Sequence, residues 1–152
     1  MKKSRSCKPI ARAYHRHAAA PPQPDAVSLG SYNIDVREIE RTWRYLPEYV
    51  RTAAAFNEGY LSVAVPTYAI PYRSLVPRRE ECTNLLVPVC LSASHVAFAS
   101  VRMEPTFMLL GHAAGLAAAQ CGRRGVAVQD ADLGELQAAL RAAGQVLSPL
   151  GG

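Results

Sequence analysis

Between Pro105 and Cys121 almost every residue is apolar or small, including Phe107, Met108, Leu109, Leu110, Ala113, Ala114, Leu116, Ala117 and Ala118. A proline is tolerated in the first turn of a helix, and Glu104 just ahead of it suits the positive end of the dipole. Gly122 suits the stop. A helix that is apolar on every side has no face to turn to water. It is also shorter than the ~20 residues that span a bilayer. The segment is therefore expected to lie buried inside a larger body, and the rest of the chain has to supply at least part of it. Gly111 and Gly115, four apart on this helix, would let another backbone approach closely. With so short an apolar run, packing against a sheet is the better reading than a membrane dimer.

The sheet is sought upstream. Asn84 to Cys90, with Leu85, Leu86, Val87 and Val89, is a nearly continuous apolar run and reads as a strand covered on both faces. Tyr60 to Val65 and Tyr68 to Tyr72 read as two more strands around a turn at Pro66, on an edge because of Pro66, Pro71 and Pro77. Val27 to Val36 suggests a short strand and turn around Gly30, and Val36 to Val50 a loop or brief helix before Pro47. Downstream, Asp130 or Asp132 caps a second helix with Leu133, Leu136 and Leu140 on one face and Gly144 as its stop. The expected class is α/β, in the form of an α+β fragment: a short β meander, then strand, loop and buried helix, then a terminal amphipathic helix.

At 152 residues the chain has room for one core. Its formal charge of +5 is uneven. Lys2, Lys3, Arg5, Lys8, Arg12 and Arg16 crowd the beginning, and Pro21, Pro22 and Pro24 follow as an extended linker. Residues 1–26 are thus expected to be a basic, disordered extension, 27–147 the folded body and 148–152 a tail. A basic head can attract nucleic acid, but a solvated tail is the simpler reading. Cys7, Cys82, Cys90 and Cys121 show neither zinc nor iron–sulfur spacing, so no metal is expected. The head lacks the apolar core of a secretory signal, which leaves reduced thiols in a cytoplasmic setting and no membrane span as the expectation.

The residues best placed for chemistry lie where the small-residue stretch Ser92 to Ser100 meets the helix. A helix start offers unpaired N–H groups and a partial positive charge, which suits an anion. His95 stands among small neighbours, where an imidazole can donate a proton or bond a ring. Arg102 and Glu104 flank Met103 and can hold substrate, pair with each other or fix the loop. His112 reads as a satisfied core histidine.

Several blocks in this region resemble the C-terminal part of bacterial FAD-dependent oxidoreductases, some of them labelled xanthan lyase-like. They are Ile70-Pro71-Tyr72-Arg73, Arg79 to Val89, Ser92 to Ala97, Val101 to Pro105 and Gly111 to Gly115, with a similar ending from Val126 to Leu147. The resemblance implies a glutathione-reductase-like flavoprotein, distantly related to the flavin subunit of heterodisulfide reductases. In such a protein an N-terminal Rossmann half binds the ADP part of FAD, and a C-terminal part faces the flavin and the substrate. It implies FAD-facing roles for Ser92, Ser94, Met103, Glu104, Pro105, Thr106 and Phe107. His95 and Arg102 would be catalytic, Arg102 on the substrate side. Residues 27–147 would be that C-terminal part. No G-x-G-x-x-G turn occurs in the sequence, so the diphosphate has no cradle here. The chain alone is expected to be inactive and to bind FAD weakly, whether it stems from a truncated gene, a split enzyme with the Rossmann half on a separate polypeptide, or a mispredicted start. The alternatives are a small basic nucleic-acid-binding or interaction protein and a gene remnant without function.

Overall fold

A computed structural model describes residues 23–45 and 53–148. The basic head up to residue 22, with Cys7, and the tail from residue 149 lie outside the described residues. Four strands and three helices make up the rest, in the order β1 (Ala26–Gly30), β2 (Ile34–Tyr45), β3 (Ala53–Val63), β4 (Tyr68–Pro71), α1 (His95–Val101), α2 (Glu104–Arg124) and α3 (Leu133–Ala142). The chain is a mixed, α+β arrangement of small antiparallel sheets and helices, as the sequence suggests.

The strands form two separate pairs. β1 runs antiparallel to β4, with Ser28 opposite Ile70 and Gly30 opposite Tyr68. A Cβ on Gly30 would lie 2.6 Å from the ring of Tyr68, so only glycine lets that ring cross the strand. The Tyr68 hydroxyl then reaches Ser100 Oγ at 2.7 Å and ties the pair to α1. β2 runs antiparallel to β3, from Ile34 opposite Val63 to Tyr45 opposite Ala53, with a bulge between Arg37 and Glu40. The loop or brief helix expected over Val36 to Val50 is therefore corrected up to Tyr45, where the chain continues as a strand. Tyr60 to Val65 and Tyr68 to Tyr72 do contain strand, but they belong to different pairs.

The strand expected over Asn84 to Cys90 does not form. Leu85 and Val89 are exposed, Pro88 lacks a donor, and two bonds hold the segment as an irregular strap: Val87 N–H to Leu75 O and Ser92 N–H to Ser74 O. An apolar run alone does not separate a covered strand from such a strap.

The core lies between the β1–β4 pair and the helices. Val27, Tyr68, Ile70, Tyr72 and Leu75 meet Leu91, Val101, Leu110, Ala113, Ala117, Leu136, Leu140 and Leu147. Buried polar groups lock its margins. The Tyr72 hydroxyl donates to Val128 O at 2.8 Å, and burial, with Cys121 alongside, raises its pKa. Gln145 donates to Val27 O at 2.6 Å. Ahead of Val27 the chain is already pinned, because Asp25 pairs with Arg73 and accepts from its backbone N–H at 3.3 Å.

α2 begins at Glu104 with Pro105 in its first turn and runs past Gly122 to a left-handed cap at Gly125, φ 63°. It buries Thr106, Leu110, Ala113, Ala114, Ala117, Gln120 and Cys121, positions three and four apart that form one face. The expectation of burial on all sides is corrected by the opposite face. Met108 is 75% exposed, Leu109 is exposed, and so are Gly115, Ala118, Ala119 and Gly122. Gly111 and Gly115 pack against nothing, since a Cβ at either would meet no atom within 4 Å. His112 is likewise not a core histidine; it is exposed and bonds Gln145 through Nδ1 at 3.1 Å.

Asp132 is the cap of α3 and accepts from Glu135 N–H at 3.0 Å. That bond holds its carboxyl below the usual value, with help from Arg124, against a smaller opposing effect of burial. Because the folded pKa lies below the unfolded one, this stabilisation is present above the ordinary carboxylate value and is lost as the pH falls through the lowered one. Asp132→Asn is therefore expected to flatten the acid limb of a Tm-against-pH curve. An unchanged acid limb would show that the ionisation of Asp132 contributes nothing, since asparagine keeps the cap itself.

Candidate functional site

A cleft of about 530 Å³ opens where β2 passes the corner between α1 and α2. Tyr32, Asp35, Val36 and Arg37 form the strand side, and His95, Phe98, Ala99, Arg102, Met103 and Glu104 the helical side. The corner exists because α1 stops at Val101, Arg102 closes it with its N–H on Phe98 O, and Met103 sits extended before α2 starts. No side chain caps the N-terminus of α2, so the N–H groups of Glu104 and Thr106 stay as donors of an uncapped end, Pro105 having none and the Glu104 carboxylate standing at the same end.

Four of the nine residues singled out in the sequence, His95, Arg102, Met103 and Glu104, line this cleft. His95 opens α1 and is exposed at the rim. Arg102 does not pair with Glu104. Its guanidinium donates to the backbone carbonyl of Asp35 at 3.0 Å and to Oδ2 of the same residue at 3.4 Å, while Nε reaches Ala99 O at 3.4 Å. The other five stand aside from the lining. Ser94 caps α1 by accepting from Ala97 N–H at 3.1 Å, and Ser92 is exposed on the strap. Pro105 is exposed, Thr106 is buried, and Phe107 packs against Phe98 with ring centroids 6.3 Å apart.

Asp35 was not singled out in the sequence, yet it is the most confined charged group here. Its side chain is 4% exposed. Oδ2 is shared by Arg37 and Arg102, each at 3.4 Å, and by the Tyr32 hydroxyl at 3.4 Å. Oδ1 is buried with no hydrogen-bond partner. Aspartate is depleted in strands, so a lone acid between Ile34 and Val36 was the available signal. Among the described residues no group of three or more His, Cys, Asp or Glu side chains is placed to hold a metal ion, and no helix is long and apolar enough to cross a membrane.

An uncapped helix start, an arginine braced by a buried carboxylate and an exposed histidine border one cleft of this α+β unit. The chain matches the FAD dependent oxidoreductase family over residues 12–140, and it belongs to that family. No curated protein and no solved structure matches it.

Proposed function

We propose that this chain is the flavin- and substrate-facing part of an FAD-dependent oxidoreductase, and that α2 docks through its open face onto a separate polypeptide carrying the Rossmann half. The observation that carries this reading is the outer face of α2. From Met108 to Ala119 its exposed positions are Met108, Leu109, His112, Gly115, Ala118 and Ala119, of which only His112 is polar. Solvent-facing helix surfaces are ordinarily charged, and a contiguous apolar patch marks an interaction site. The glycines at 111 and 115 would allow a partner backbone to come close.

The residues present fit one end of FAD and not the other. The uncapped first turn at Glu104 to Thr106 borders the cleft and would hold the electron-rich edge of a flavin ring, as helix starts hold anions. Bound flavin would supply the two-electron transfer. Arg102, fixed by Asp35, would orient substrate on the β2 side, and His95 at the rim would exchange a proton with it. For the diphosphate there is no glycine-rich turn between a strand and a helix, so the chain alone is inactive on this reading.

The test is FAD titration of the isolated chain beside the same chain co-expressed with a separate polypeptide carrying a Rossmann FAD-binding half. The pair is expected to retain FAD through gel filtration, with affinity at least about a hundredfold above that of the chain alone. Equal, tight binding by the isolated chain would overturn the proposal.

A further inference from the structure

We infer that the cleft between β2 and the α1–α2 corner recognises a neutral, hydroxyl-rich ligand, a sugar or sugar alcohol, through Asp35 and Arg102. This names the substrate class of the site proposed above and rests on that reading for the chemistry that follows binding. Recognition itself is a property of this chain.

The charges lining the cleft are balanced, with Arg37 and Arg102 against Asp35 and Glu104. Asp35 holds the one carboxylate oxygen there that is buried and unpartnered. A buried acceptor left unpaired costs free energy until a donor reaches it. The last torsion of an aspartate is broad and roughly two-fold, so the carboxylate can turn toward a ligand in the cleft, exchanging its long 3.4 Å contacts on Oδ2 for a shorter hydrogen bond.

The kind of donor follows from the neighbours. An ammonium beside Oδ1 would sit next to the Arg37 and Arg102 guanidiniums, which already share Oδ2 at 3.4 Å each, and like charges at that range repel. A carboxylate ligand could meet the arginines but has no hydrogen to give Oδ1. A hydroxyl both donates and accepts. Two neighbouring hydroxyls would satisfy the pair together, one donating to Asp35 and the other accepting from Arg102. Phe98 and Val36 supply apolar surface for the carbon side of such a ligand. The volume lies within the ~300–1,000 Å³ usual for small-molecule sites.

The experiment is saturation-transfer NMR on the full chain without flavin, using glucose and sorbitol as neutral probes, glucosamine as the cationic one and succinate, which has no hydroxyl, as the anionic one. Glucose or sorbitol is expected to bind saturably and several-fold more tightly than either charged probe. Asp35→Asn should weaken the neutral probes by about tenfold, the usual scale for losing a hydrogen bond to a charged group. Should that variant fail to fold, Arg37→Gln, at a side chain 73% exposed, reads the same cleft with a smaller loss of roughly threefold. Tighter binding of glucosamine or succinate, or no saturable signal from glucose and sorbitol up to about 50 mM, roughly fiftyfold weaker than a millimolar site, would overturn the inference. Failure here with successful FAD retention by the co-expressed pair would leave the flavoenzyme reading standing. The opposite outcome would leave the sugar site standing alone.

Discussion

Gly115→Leu is expected to leave the isolated chain folded and somewhat more stable while disabling its assembly with a flavin-binding half. In the isolated chain a Cβ at position 115 meets nothing within 4 Å. Leucine also favours helix over glycine by roughly 0.5–1 kcal/mol. A leucine between two closely packed surfaces has the opposite effect, because overpacking costs about 1–3 kcal/mol. Urea denaturation of the isolated chain should therefore show a higher midpoint. Gel filtration of the co-expressed pair should show loss of FAD by about tenfold or more in affinity. A substitution that stabilises the part and damages the whole is hard to obtain from a solvent-facing helix surface. If Gly115→Leu destabilised the isolated chain, the face would be packed after all; if assembly were untouched, it would not be the docking face.

Leu110→Ala is expected to have the largest effect on the chain itself. Leu110 is fully buried on the inner face of α2 and belongs to the core shared by the β1–β4 pair and α3. Truncating a buried leucine costs about 2–5 kcal/mol through lost transfer energy and the cavity left behind. Domains of this size have only about 5–15 kcal/mol in all. The denaturation midpoint should fall steeply with an unchanged slope, which would place the loss in the folded state. Met108→Ala, one half-turn away on the open face, should move the midpoint by less than about 0.5 kcal/mol. Equal losses at 108 and 110 would mean that α2 has no open face.

These two experiments separate what the sequence shows about α2 from what it conceals. Composition marks the helix and its approximate ends, and the capping signal at Asp132 and the stop at Gly144 are local enough to be legible in the same way. Composition cannot say which apolar positions the chain itself covers. Both faces of α2 are written in the same small and aliphatic residues, and only the placement of β1 and α3 decides between Leu110 and Met108. The strap from Asn84 to Cys90 shows the same limit: its hydrophobicity matches a buried strand, and although Pro88 speaks locally against one, the anchor bonds to Ser74 and Leu75 are tertiary matters.

The cleft was legible on one side only. His95, Arg102, Met103 and Glu104 cluster in sequence at the start of α2, so a search near the helix start finds them. Asp35 and Arg37 come from β2 and Tyr32 from the loop just before it, far away in the chain, and are brought there by the packing of α1 on that strand. Ser94, FAD-facing by the family resemblance, has its hydroxyl on the N-terminus of α1, a common use of serine ahead of a helix.

Docking of the outer face of α2 is tested most directly by a cysteine at position 108. The Met108→Cys chain should react with a maleimide as fast as the exposed Cys90 when isolated. In the FAD-loaded assembly the same position should be protected, whereas labelling of Cys90 serves as the internal reference. Unchanged labelling of position 108 in an assembly that holds FAD would contradict the account.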